Sequence, residues 1–358
     1  MRDSLRAGHG PDALVQAAAV ARRYYLDGLS KVQIAEEFGL SRFKVARILD
    51  DARAEGLVQI EIVLPAHLDT GLSDELRAAY GLEHAIVLTT AEEAEASLRA
   101  HLGAAAARLL TEIVTEGDVL GIGFGRTIGA VVGALSALPR CSVVQLTGVL
   151  TSDVEADGSV ELVRKLAGIA GGPMFPIYAP FMVADAATTL ALRRQPQVAT
   201  TLARYHEVSI AVVAVGSWEP PNSTLRDALE SADRDRMAEL GVQAEVCGVL
   251  LDKSGQRVRT DVGDRLLSVT GDELLRVPEV IAVTAGITKA IATRAVVLGG
   301  YATSLVTDFA VARYLLDNPP EGSWQGRPPT ADVRSAIIEP AANPTSSITG
   351  VRAAHSRS

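Results

Sequence analysis

Cysteine, aromatic rings and long apolar runs are all scarce in this chain, and each shortage removes a class of protein. Its 358 residues include two cysteines, Cys141 and Cys247. They lie far apart in apolar runs, which excludes a disulfide framework and a thiolate metal cluster and points to two buried thiols. No apolar stretch reaches the ~20 residues needed to cross a bilayer, and the amino terminus lacks an apolar signal core. No membrane association and a cytoplasmic location are therefore expected. Aromatics supply 4% of residues against 48% hydrophobic residues in all, so the core must be built from Ala, Val, Leu and Ile. There is no HExxH pair or His/Cys cluster to hold a metal. A P-loop and a GxGxxG turn are both missing, so neither a metal nor a nucleotide cofactor is expected.

Positive charge is also short overall, with a formal net charge of -9. The deficit is uneven: residues 1–60 hold nine Lys or Arg against eight Asp or Glu. General attraction to nucleic acid is thus excluded, but a local basic helix is not. Residues 12–27 read as a helix, with Asp12 placed to cap it and Leu14, Ala17, Ala18, Ala21, Tyr24 and Tyr25 as its buried stripe. Ser30 begins a second helix through a capping box with Gln33, and Val32, Ile34, Ala35 and Phe38 form its apolar positions. Gly39 supplies a left-handed turn. Ser41 then caps a third helix that buries Val45, Ile48, Leu49 and Ala52. Ser41, Arg42, Phe43, Lys44 and Arg47 are left on the exposed amino-terminal half, where a helix-turn-helix reads the major groove. Arg pairs with guanine, Lys with guanine or phosphate, and Phe43 suits a thymine methyl. Arg22, Arg23, Lys31 and Arg53 are candidate backbone contacts. Residues 57–63 alternate like a strand that Pro65 ends.

Further along, short apolar runs alternate with helical patterns: 84–88, 118–122, 142–146, 209–215 and 280–285 as strands, 92–115 and 128–138 as helices. That order predicts an α/β domain with a doubly wound, mostly parallel sheet, whose ligands bind beyond the carboxyl ends of the strands. The best candidate is the turn Gly121-Ile122-Gly123-Phe124-Gly125-Arg126-Thr127. Its glycines allow close backbone approach, Thr127 adds a hydroxyl, and the following helix presents free amides to an anion. A sugar phosphate or similar small anion fits it. Lys289, at the strand-to-helix junction Thr284-Ala285-Gly286-Ile287-Thr288-Lys289, is a second candidate for the anion. Gly148 ends the run Gln145-Leu146-Thr147-Gly148, while Glu245 and Asp308 sit at element edges suited to sugar hydroxyls. His206 with Glu207, and the acidic run Asp153, Glu155 and Asp157, have no partner spacing that marks a catalytic set.

The chain resembles the SorC/DeoR-type sugar-binding transcriptional regulators. The resemblance is carried by Leu40-Ser41-Arg42, Val45-Ala46-Arg47-Ile48-Leu49, Ala52-Arg53-Ala54-Glu55-Gly56-Leu57-Val58, the two glycine turns, Cys247-Gly248 with Gly255, Ala285–Lys289 and Thr307-Asp308-Phe309-Ala310. It implies an effector domain with the sugar-phosphate isomerase/deaminase fold but without turnover, in which Gly125, Arg126, Thr127 and Lys289 hold an effector phosphate. It also implies dimers or tetramers on palindromic operator DNA. The expected organisation is a flexible terminus at 1–11, a helix-turn-helix domain at 12–64, an effector and oligomerisation domain at 65–317, and a disordered tail at 318–358. The expected function is a non-enzymatic, DNA-binding transcriptional regulator controlled by a sugar, sugar phosphate or polyol. The competing reading is a sugar-phosphate isomerase or deaminase with an appended DNA-binding domain, and a third is a DNA-binding scaffold whose large domain only oligomerises.

Overall fold

Ser30 shows how local chemistry sets the first three helices. In the computed structural model, which describes residues 10–58, 68–89, 95–150 and 158–320, the Gln33 amide donates to Ser30 Oγ and the Ser30 amide donates back to Gln33 Oε1 at 3.0 Å. This capping box starts α2 (Lys31–Phe38) and satisfies two otherwise orphaned donors. Gly39 at φ 62° ends α2, and Ser41 Oγ accepts from the Lys44 amide at 3.2 Å to start α3 (Arg42–Ala54). α1 (Pro11–Tyr25) precedes them, and Val20, Ala21, Ile34, Ala35, Val45 and Leu49 form one small core.

Three local expectations are corrected. Asp12 does not cap α1: Gly10 holds that position and Pro11 opens the helix, since proline lacks the amide that a cap would satisfy. Val20, not Ala17 or Ala18, is the most deeply buried residue of α1, and Val32 is exposed because Ile34 and Ala35 already carry the packing of so short a helix. Leu57 and Val58 form a bend rather than a strand, and residues 59–63 lie outside the described residues. The tail expected at 318–358 likewise lies outside them from residue 321 onward.

The chain divides into two compact units, Met1–Ala66 and His67–Ser358. The second begins with α4 (Thr70–Tyr80), β1 (His84–Leu88), α5 (Glu95–Ile113), β2 (Val119–Ile122), α6 (Arg126–Ala134) and β3 (Ser142–Gln145). It continues through α7 (Ser159–Ala170), β4 (Met174–Phe175), α8 (Ala186–Arg193), α9 (Pro196–Leu202), β5 (Ile210–Ala214) and β6 (Gly216–Ser217). Next come α10 (Thr224–Ala228), α11 (Ser231–Glu239), β7 (Ala244–Val246), β8 (Val249–Leu251), α12 (Asp261–Asp264) and α13 (Gly271–Leu274). β9 (Glu279–Val283), α14 (Ala290–Leu298), β10 (Ser304–Asp308) and α15 (Phe309–Asp317) complete it.

Seven strands form one parallel sheet in the order β1-β10-β9-β5-β2-β3-β4. Side chains alternate across it, as the pleat requires. Ile210, Val212, Ile281 and Val283 pack with α5, α6 and α7, whereas Ala211, Val213, Val280 and Ala282 pack with α4, α14 and α15. Both faces are covered, so the strands read as continuous apolar runs. The expected strands fall within a few residues of β1, β2, β3, β5 and β9. The antiparallel sheet β6-β7-β8 was not anticipated, because its strands are only two or three residues long.

The connection from β2 runs outward to β3 and β4, then returns to place β5 on the other side of β2. Strand order therefore reverses between β2 and β5. A crevice opens at such a point beyond the carboxyl ends of the strands.

Candidate functional site

The candidate residues fall on two surfaces, one in each unit. On the first, Arg42, Phe43, Lys44 and Arg47 are exposed on the leading turns of α3. Among the described residues none of the three cations has an ion-pair partner. Phe43 is 85% exposed, an unusual setting for a phenyl ring. Ser41 spends its hydroxyl on the cap. Arg23 differs from the α3 cations: its guanidinium pairs with Asp27 and Glu37, each at 2.9 Å, and Lys31 lies over the Tyr24 ring. Those partners make Arg23 and Lys31 poorer candidates for DNA phosphate.

On the second unit, a cavity of about 230 Å³ occupies the crevice between β2 and β5. The turn after β2 brings Gly125, Arg126 and Thr127. Gly125 sits at φ 113°, a conformation closed to other residues, and α6 starts with no side-chain cap. Its leading amides, which like those of any helix have no acceptor within it, therefore receive none from a capping side chain. A 3-10 turn, Ile287–Lys289, follows β9 and carries Lys289 to the same cavity. Lys289 Nζ donates to the Val215 carbonyl at 2.7 Å.

Opposite them, β7 contributes Glu245. Its register partner on β6 is Gly216, and a Cβ there would meet Glu245 Oε2 at 2.7 Å. Glycine thus makes room for the carboxylate. Glu245 Oε1 accepts from the Gly248 amide at 2.6 Å. That turn holds Cys247 at φ 49°, against the cavity. Burial pushes the Glu245 carboxyl up to about 7, opposed by the Gly248 amide, the Lys289 charge and the Ser223 hydroxyl. Burial also pulls Lys289 down to about 8, opposed by Glu245 and reinforced by Arg126.

Glu245 keeps its proton up to about pH 7 in the folded state but loses it near 4.3 when unfolded. The folded state then binds more protons between those values, so this group's contribution to stability falls as pH rises through that window. Glu245→Gln removes the dependence. The ligand-free variant is expected to gain about 2–3 kcal/mol relative to wild type between pH 5 and pH 8. Denaturant unfolding at both pH values measures it, and parallel pH profiles for the two proteins would contradict it.

Of the eight candidate effector residues, Gly125, Arg126, Thr127, Glu245 and Lys289 line this one cavity. Gly123, Gly148 and Asp308 do not line it. Gly123 lies beneath, where a Cβ would come within 3.2 Å of Cys247 Sγ. Gly148 is a packing glycine, whose Cβ would meet the Pro180 carbonyl oxygen at 2.6 Å. Asp308 uses both oxygens on backbone: Oδ1 accepts from Val311 and caps α15, and Oδ2 accepts from Gly286 at 3.1 Å. It positions the turn that presents Lys289.

Sequence reasoning missed Glu95 and Arg99 of α5, and Asn222, Ser223 and Asp227 around the start of α10, all of which line the cavity. Glu95 and Arg99 stand one helical turn apart, a spacing common on any exposed helix, so no signal set them apart.

His206 lies at the other end of the sheet, in a turn (Tyr205–Glu207) preceding β5, exposed and 3.7 Å from Glu207. It cannot serve as a base in the cavity. Asp153, Glu155 and Asp157 lie outside the described residues. Among the described residues no group of three His, Cys, Asp or Glu is arranged to hold a metal, and no helix is long and apolar enough to cross a membrane.

A family model described as "Putative sugar-binding domain" matches residues 65–317. The transcriptional regulator LsrR of Enterobacter sp. (strain 638) is 29% identical over 306 residues, covering 84% of this chain and 92% of its own. The erythritol catabolism regulatory protein EryD of Brucella abortus (strain 2308) is 27% identical over 310 residues, covering 85% of this chain and 96% of its own. The full-length sorbitol operon regulator SorC of Klebsiella pneumoniae shares the fold with a TM-score of 0.66 at 22% identity, over 85% of this chain and 99% of its own.

Proposed function

The chain belongs to the SorC/DeoR-type family of sugar-binding transcriptional regulators, and on that premise we propose that the cavity between β2 and β5 binds a phosphorylated sugar or polyol that controls DNA binding by α3. The protein is a DNA-binding transcriptional regulator. The observation that carries the effector reading is the convergence of Arg99, Arg126 and Lys289 with Thr127 and the uncapped start of α6 on one small cavity. Phosphate is the group that such a set satisfies, through charge-assisted hydrogen bonds and backbone amides together.

In this reading Gly125, Arg126, Thr127 and Lys289 take the phosphate. Glu245, with Asn222, Ser223 and Asp227, accepts or donates to hydroxyls at the other end. Two relatives are named for sorbitol and for erythritol, which favours a linear polyol chain as the hydroxyl-bearing part. The helix-turn-helix of residues 12–64, with Arg42, Phe43, Lys44 and Arg47 as base-reading residues, binds operator DNA in the cytoplasm. Residues 65–317 bind effector and join copies of the chain. A dimer or tetramer suits this arrangement, because one short recognition helix reads few bases and two copies match a palindrome.

Thermal unfolding with a panel of phosphorylated sugars and polyols, each beside its unphosphorylated parent, tests the effector assignment. A ligand that binds the folded state raises apparent stability by RT ln(1 + [L]/Kd), about 2.7 kcal/mol at a hundredfold excess over Kd. At least one phosphorylated compound is expected to stabilise the protein where its parent does not. Equal response to both members of every pair would remove the phosphate from the reading.

A further inference from the structure

The cavity already contains an anion of its own. Glu95 Oε1 accepts a hydrogen bond from Arg99, one turn along α5, and lies 3.9 Å from Arg126 Nη2 at the start of α6. One carboxylate oxygen thereby faces two of the three cations around the cavity. The Glu95 side chain is 73% exposed and that of Arg126 61% exposed, so this contact sits at the mouth. Glu245 differs in being fully buried and held by the Gly248 amide.

We infer that Glu95 is an internal competitor for the effector's phosphate, occupying the Arg99 and Arg126 guanidinium groups until the phosphate displaces it. This rests on the phosphate reading of the cavity given above. Two physical points support it. Exposed ion pairs are weak, about 0–1 kcal/mol, so the Glu95 contact yields readily. A phosphate brings up to two charges and three acceptor oxygens, and satisfies forked guanidinium donors better than one carboxylate oxygen does. If Glu95 stayed in place, its charge would repel the phosphate, so effector affinity is lowered in either case. Glu95 therefore sets both the affinity for anionic ligands and the discrimination between a phosphorylated ligand and its neutral parent.

Full-length wild type, Glu95→Gln and Glu95→Asp are titrated with inorganic phosphate, glycerol 3-phosphate and glycerol, with Lys289→Ala as the reference for a disabled cavity. Glu95→Gln is expected to bind both phosphate probes about three- to fivefold more tightly than wild type, with no change toward glycerol. Glu95→Asp, which keeps the charge, should stay within about twofold of wild type. Weaker or unchanged phosphate binding by Glu95→Gln, beside clear binding by wild type, would overturn the competitor role and leave the phosphate site standing. A loss of glycerol and phosphate binding together would instead make Glu95 a direct ligand of hydroxyls, and would also overturn it. If wild type and Lys289→Ala bind the phosphate probes equally poorly, the phosphate reading itself fails and takes this inference with it.

Discussion

Replacing Lys289 with alanine should weaken the binding of a phosphorylated effector by about a hundredfold or more and leave operator binding by the effector-free protein unchanged. Lys289 is largely buried and its ammonium already donates to the Val215 carbonyl. It is held in place by the Ile287–Lys289 turn, which Asp308 fastens through the Gly286 amide. A buried cation that needs no reorganisation interacts strongly with an incoming dianion, and truncating one member of a buried charged pair costs about 2–5 kcal/mol. The fold should survive, because the buried ammonium carries a desolvation penalty that the truncation removes. Glu245 then loses its nearby cation and stays protonated to higher pH. Titration calorimetry with the best ligand of the thermal panel measures the loss. An affinity within threefold of wild type would move the phosphate away from Lys289.

The second large effect belongs to α3. Arg47→Ala should reduce operator affinity by at least about thirtyfold, while the stabilisation by effector remains that of wild type. A bidentate arginine–guanine pair contributes about 1–3 kcal/mol, and a symmetric pair of half-sites loses it twice. Arg47 is exposed on the leading half of α3 and among the described residues forms no ion pair that would compete with DNA. Arg22→Ala offers the contrast: as a candidate phosphate contact, exposed on α1, it should weaken specific and non-specific DNA alike and reduce the salt dependence of binding. Fluorescence anisotropy at several salt concentrations separates the two. If Arg47→Ala lowers affinity uniformly for all sequences, Arg47 holds the backbone and does not read bases.

Much of this was legible because short-range chemistry decides it. Ser30 with Gln33, Gly39 and Ser41 act within four residues of themselves, so the boundaries of α2 and the start of α3 could be read directly. The parallel sheet was legible from its apolar runs, and Gly125 to Thr127 from their place after a strand. What escaped depends on long-range placement. Gly148 and Gly125 look alike as glycines ending a strand, yet one admits the backbone at Pro180 and the other opens a cavity. Asp308 sits beside the cavity's turn in space, and only its two hydrogen bonds assign it to that turn rather than to a ligand. Glu95 and Arg99 reach the cavity because α5 packs beside α6, a contact between segments some thirty residues apart that carries no motif.

In the proposed function one equilibrium links effector and operator: effector in the cavity changes the affinity of α3 for DNA. Coupling of this kind amounts to about 1–3 kcal/mol and acts equally in both directions. The direct test is operator binding by the full chain, on DNA from upstream of its own gene cluster, with and without saturating amounts of the phosphorylated ligand that stabilises it most. The prediction is a shift in operator affinity of about five- to 150-fold, in either direction, that Lys289→Ala abolishes. Operator affinity that is unchanged by a ligand proven to occupy the cavity would contradict it.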